Sequence, residues 1–131
     1  MGKSEKLQFV KHFNFATGNF RAILTDYGLS TVVVEGTEHT YSVCGTPLYS
    51  SPQLLRQKGY SYKVDIWALG IATYELLMGR TPFHSVDMKE LIARINRGNY
   101  KLYLKEPVSI ECALFLTQCL QADENNRISV D

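Results

Sequence analysis

Residues 62–78 read Y-K-V-D-I-W-A-L-G-I-A-T-Y-E-L-L-M, and this stretch constrains the chain more than any other. Drawn as a helix, it carries apolar side chains on nearly every side: Val64, Ile66, Trp67, Leu69, Ile71, Tyr74, Leu76 and Leu77. A helix apolar around most of its circumference is surrounded by other elements rather than laid on a surface. At ~1.5 Å per residue it spans roughly 25 Å, about the width of a small domain. Ser61 stands where it can cap the start, and Gly79 where it can end the helix. Asp65 and Glu75 break the apolar pattern. A buried carboxylate needs hydrogen-bond donors, and the backbone N–H groups of a neighbouring loop supply them. The stretch therefore predicts a buried central helix that fixes a loop through Asp65.

A chain of 131 residues is one domain or a piece of one, and its 45% hydrophobic content excludes global disorder. The net charge of +1, with basic residues scattered, points away from nucleic acid and from anionic membrane surfaces. Cys44, Cys112 and Cys119 are odd in number and form no C-x-x-C pair. Reduced thiols in a cytoplasmic protein are the expectation, without a disulfide framework or zinc site. His12, His39 and His84 have no ligand spacing. No segment is apolar for long enough to span a bilayer, and the polar start M-G-K-S-E-K lacks a signal peptide's apolar region. A soluble, intracellular protein is expected.

Along the chain, residues 13–16 and 20–24 predict two short strands joined by a turn at Thr17-Gly18-Asn19. Residues 29–43 hold a Val32-Val33-Val34 run and a hydroxyl-rich loop. Gly45, Pro47 and Pro52 argue against regular structure, and residues 53–57 predict a short helix closed by Gly59. After the turn G-R-T-P-F, Ser85 is placed to cap a helix over 85–98. Its Met88, Leu91, Ile92 and Ile95 fall at i, i+3, i+4 and i+7, and Gly98 ends it. Pro107 and Ser109 introduce a last helix offering Ile110, Leu114, Phe115 and Leu120 to the core. One strand pair and four helices cannot cover a buried helix on all sides, so the sequence predicts part of a larger domain.

The motifs follow one another in a telling order. Thr25-Asp26-Tyr27-Gly28 comes directly after a strand, and an Asp before a Gly hinge is a fair Mg²⁺ ligand. C-G-T-P-L-Y-S-S-P-Q lies at 44–53, D-I-W-A-L-G at 65–70, E-L-L-M-G-R-T-P-F at 75–83, and Arg127 after an Asn-rich loop. From about residue 11 to the end this series resembles the C-terminal lobe of eukaryotic protein kinases. The resemblance implies a mainly α fold with a short β pair, a partial kinase-like C-lobe organised around the central helix, with residues 1–131 as one partial domain. T-D-Y-G then stands for D-F-G, with Asp26 on Mg²⁺ against the phosphates of ATP, and S-P-Q stands for A-P-E. Asp65 would grip the catalytic loop. G-T-P-x-Y is similar to Ser/Thr kinases, with Thr46 shaping the substrate groove and Ser42 the activating phosphosite, ahead of Thr40 and Thr37.

Upstream, L-Q-F-V-K-H-F-N at 7–14 is set against H-R-D-x-K-x-x-N. By that resemblance Lys11 touches the transferred phosphate and Asn14, twelve residues before Asp26, binds a second Mg²⁺. The catalytic Asp then falls on Phe9, which cannot accept a proton, and the Arg that reads a phosphorylated loop falls on Gln8. The chain also has no G-x-G-x-x-G loop or V-A-I-K Lys, so catalysis from it alone is not expected. The Glu of A-P-E, which pairs in the family with the Arg matched here by Arg127, is replaced by Gln53. Two functions from different classes follow. One is the C-lobe of a Ser/Thr kinase transferring phosphoryl groups to protein hydroxyls. The other is a pseudokinase-like module that docks proteins through the 85–98 helix and the groove beside Thr46.

Overall fold

The structure, a computed structural model, describes residues 8–14, 19–25, 47–57, 59–102 and 108–130. Two antiparallel strands, β1 (Gln8–Asn14) and β2 (Asn19–Thr25), form a two-stranded sheet. Their register runs from Gln8 opposite Thr25 to Asn14 opposite Asn19. The first strand thus covers Q-F-V-K-H-F-N rather than the expected 13–16. Three of its seven residues are Phe or Val, so the β-favouring run extends upstream of the segment read as a strand.

The helical part starts with a 3₁₀ turn, Pro47–Tyr49, and the short helix α1 (Pro52–Leu55). Ser51 caps α1 by accepting from Leu54 N–H, and Pro52 occupies the first turn, where its missing N–H costs nothing. The helix stops at Arg56, and Gln57 takes the left-handed conformation at φ 53°, so Gly59 is not the terminator.

The central helix α2 (Lys63–Met78) ends at Gly79, whose φ of 71° places it in the region that favours glycine. Tyr62, not Ser61, is its N-cap, although Ser61 Oγ still accepts from Lys63 N–H at 3.3 Å. Of its buried residues, Trp67, Gly70, Ile71 and Tyr74 share one side, and Ala72 lies off it. Leu76 and Leu77 are 53% and 43% exposed. Among the described residues the helix is therefore covered on part of its circumference, as expected where one strand pair and four helices cannot surround it.

α3 (Met88–Arg97) is amphipathic, with Leu91 and Ile95 in the core and Met88 exposed. Asp87 caps it by accepting from Lys89 and Glu90 N–H at 2.6 and 3.1 Å. Ser85, the expected cap, instead accepts from Asp87 N–H and bonds Glu90. Both side chains are good caps, and the shorter carboxylate contact falls at Asp87. α4 (Ile110–Cys119) is capped by Ser109 and buries Leu116 and Cys119. The expected core residues Ile110 and Leu114 are 74% and 56% exposed, so its inward face is rotated from the one predicted.

The core is built from Trp67, Ile71, Phe83, Leu91, Ile95 and Leu120. Trp67 and Phe83 stack with centroids 5.6 Å apart, and Tyr100 meets Phe83 edge-on at 6.0 Å. Such pairs add to the apolar area they bury. α2 and α4 approach closely at Gly70. A Cβ there would lie 2.7 Å from Cys119 Cβ and 2.9 Å from Leu120 Cδ2. Cys119 is a free thiol, and burial pushes it up to about 11, so it stays protonated and packs as a small apolar group.

Gly70→Ala isolates this contact. Helix propensity alone favours Ala by about 1 kcal/mol. Overpacking against Cys119 opposes it by typically 1–3 kcal/mol. The variant is expected to lower the urea midpoint of unfolding; a raised midpoint would show that the two helices can separate at no cost.

Candidate functional site

The S-P-Q segment and the loop after α4 are locked onto the start of α2 by one buried side chain. Arg127 is 2% exposed. Its Nη1 donates to Lys63 O at 2.7 Å and its Nε and Nη2 donate to Gln121 O at 3.1 and 2.8 Å. Nη2 also donates to Gln53 Oε1 at 3.0 Å, and the guanidinium carbon lies 5.1 Å from the Trp67 ring centroid. Burial lowers its pKa to about 10, with Glu124 the first of the groups opposing the shift, so it remains a cation at neutral pH. The contact is reciprocal, since Lys63 Nζ donates to the carbonyls of Glu124 and Arg127 at 3.0 Å each.

Gln53 and Arg127 are thus hydrogen-bond partners, and Gln53 uses both ends of its amide: Nε2 donates to Ala122 O at 2.7 Å. Ser51 is fully buried and Ser50 nearly so. One turn earlier, the Tyr49 hydroxyl donates to the Glu75 carboxylate near the far end of α2. Burial first, and the Glu75 carboxylate second, push the Tyr49 hydroxyl up to about 12. The segment 47–53 is therefore pinned at both ends, by Tyr49 to Glu75 and by Gln53 to Arg127. Neither the Tyr49–Glu75 pair nor the burial of Ser51 was read from the sequence. The two members of the pair are 26 residues apart, and no local pattern links them.

The other expected site residues are placed differently. Asp65 lies in the first turn of α2 and is exposed, where the sequence predicted it buried. Asp26, Ser42 and Thr46, with Thr37, Thr40 and Cys44, lie outside the described residues. Phe9, Lys11 and Asn14 belong to β1, with Lys11 opposite Ala22 in mid-ladder. The backbone at these positions is a paired strand rather than a loop. Asn14 faces Asn19 at one end of the hairpin, while Thr25, which leads into T-D-Y-G, faces Gln8 at the other. Six residues of strand separate these ends by about 20 Å. Asp26 lies outside the described residues, so the ligand set Asp26 and Asn14 and the K-x-x-N alignment behind Lys11, Phe9 and Gln8 stand as expectations from the motif series. Among the described residues no cluster of His, Cys, Asp and Glu could hold a metal, and no helix is long and apolar enough to cross a membrane.

A mainly helical half-domain, built on one long apolar helix with the P-Q segment tied to a buried Arg, is the architecture of a protein kinase C-lobe. The chain belongs to the protein kinase family: the model of the protein kinase domain matches residues 11–131. It is 34% identical over 118 residues to the cell cycle serine/threonine-protein kinase CDC5/MSD2 of Saccharomyces cerevisiae, covering 88% of this chain and 17% of that protein. It is 38% identical over 106 residues to the serine/threonine-protein kinase sgk-1 of Caenorhabditis elegans, covering 81% and 22%. With a probable serine/threonine-protein kinase PLK of Dictyostelium discoideum it shares 42% over 96 residues, covering 72% and 10%. The chain thus spans about a fifth or less of the length of these relatives.

Two outcomes test the geometry. Gln53→Glu places a carboxylate beside the buried guanidinium but loses the donor to Ala122 O. A charge-assisted hydrogen bond contributes more than the neutral one removed, so a net gain of about 1 kcal/mol is expected, measured as a higher thermal midpoint at pH 7. An unchanged or lower midpoint would show that the Ala122 contact matters more. The second concerns Tyr49. Its folded pKa of about 12 lies above the ordinary 10, so its stabilisation is complete below pH 10 and is lost as pH rises through 12. The stability difference between wild type and Tyr49→Phe should therefore be constant up to pH 10 and then move against wild type. A difference independent of pH up to 12 would refute the buried Tyr49–Glu75 contact. Arg127 is common to both proteins and cancels.

Proposed function

We propose that this chain is the C-lobe part of a Ser/Thr protein kinase, an ATP- and Mg²⁺-dependent phosphotransferase acting on protein hydroxyls when its domain is whole. The observation that carries this reading is the pinned segment 47–53, held on α2 through Tyr49–Glu75 and Gln53–Arg127 within a sequence matched to the protein kinase domain. A rigid segment on a rigid helix is what positions a substrate hydroxyl, and positioning supplies much of the rate in phosphoryl transfer. In this role Thr46 borders the substrate groove, Ser42 is the residue whose phosphorylation orders the preceding loop, and Asp26 is the metal-binding carboxylate. By the K-x-x-N resemblance Asn14 would take a second Mg²⁺ and Lys11 would touch the transferred phosphate. No H-R-D tripeptide occurs in the 131 residues, so the base that accepts the substrate proton is not supplied by such a motif here.

A second reading, a pseudokinase-like module that docks a protein through the 85–98 helix, is favoured by the exposure of Val86 and Met88 at its start. Leu91 and Ile95 belong to the core and cannot serve as the docking face.

Titration with Mg-ATP, followed by thermal shift, distinguishes the readings. It is run on this chain and on a longer product carrying a glycine-rich loop and a V-A-I-K Lys. The kinase reading expects a concentration-dependent rise in midpoint for the longer product, abolished by Asp26→Asn, and little or none for the 131 residues. No shift in the longer product, with protein binding intact, would reject it in favour of the docking module.

A further inference from the structure

Although the chain carries 14 Lys and Arg against 13 Asp and Glu, its charges are not evenly spread. An open cleft of about 1280 Å³ lies between the turn after α2, the C-terminal half of α3 and the residues flanking α4. Four basic side chains, Arg80, Arg94, Arg97 and Lys101, line it against one carboxylate, Asp123. Arg94 is already engaged, pairing with Glu90 at 2.6 Å and donating to His84 O at 2.7 Å. Arg97 and Lys101 are exposed, and neither side chain has a hydrogen bond or ion pair among the described residues. Their backbone is nonetheless fixed. Gly98, between them, ends α3 in the left-handed conformation, and the Tyr74 hydroxyl donates to Lys101 O at 2.5 Å. Two cations thus stand on fixed backbone without a hydrogen bond or ion pair, Arg97 acting on the Glu90 carboxylate only through space, beside Pro82 and Leu120.

We infer that this cleft docks an acidic segment of a partner protein, rich in Asp and Glu and carrying an apolar residue for the Pro82–Leu120 floor. The argument is charge complementarity. Carboxylates meeting Arg97 and Lys101 gain charge-assisted hydrogen bonds and break no existing pair. A concave surface lined by one sign of charge also concentrates oppositely charged ligands near it. An ordinary solvated surface would interleave both signs, as the chain does overall. The inference is independent of phosphoryl transfer, because none of the cleft residues belongs to segment 47–53 or to T-D-Y-G.

The test uses the whole 131-residue chain and a fluorescein-labelled decapeptide of Asp and Glu with one central Leu. A control peptide has Asn and Gln in place of the acids, and binding is read by fluorescence anisotropy. The acidic peptide is expected to bind at least ~10-fold more tightly than the control and to weaken as salt is raised. Arg97→Ser with Lys101→Ser, both exposed positions, should weaken it ~10-fold while leaving the circular dichroism spectrum and thermal midpoint unchanged. Equal binding of the two peptides, no binding of either, or full affinity in the double variant overturns the proposal. So does a single-stranded oligonucleotide that binds more tightly than the peptide, which would make the cleft a nucleic-acid surface. A failed Mg-ATP titration leaves all these outcomes unaffected.

Discussion

The helical part of this chain depends on taking one guanidinium out of water. Arg127 loses its hydration and recovers it as hydrogen bonds to two carbonyls and one amide, with the face of Trp67 covering its plane. Desolvating a cation is expensive, and the drop of its pKa to about 10 records that expense. Only Arg has the planar fork that satisfies three acceptors in different directions, so Lys could not do the same work. Through these bonds the loop after α4, the start of α2 and the head of α1 become one unit. Segment 47–53 is held in place by that unit.

Trp67 connects this polar hub to the apolar core. One of its neighbours is Arg127 and the other is Phe83, stacked almost parallel at 5°. From Phe83 the contacts run to Tyr100 and on to Tyr74, whose hydroxyl holds the backbone at Lys101. The same side of α2 that buries Trp67 therefore also sets the rim of the cationic cleft. Segment 47–53 and the cleft share a scaffold without sharing a residue.

The hairpin shows what a linear motif leaves open. K-x-x-N is four residues with two of them free, and it occurs inside a run whose Phe and Val residues favour a strand. Pairing with β2 then fixes which residue stands near Thr25, and that residue is Gln8, not Asn14. A single shift of register moves every position along the ladder, and a short motif holds no information about which register is adopted.

The sequence by itself determined the elements and their order: a β pair, the apolar stretch 63–78, an amphipathic helix ended by Gly98, a last helix begun by Ser109, and membership of the kinase family. It also named Gln53 and Arg127 as partners, because the motif series carries that pairing. These depend on periodicity, capping and linear motifs, which are local properties. The tertiary structure alone decided which faces are covered. It exposed Asp65, Leu76, Ile110 and Leu114, buried Ser51, joined Tyr49 to Glu75, and gathered Arg97 and Lys101 around a cleft. Burial is a property of what packs against a residue, and no window of sequence contains both sides of that contact.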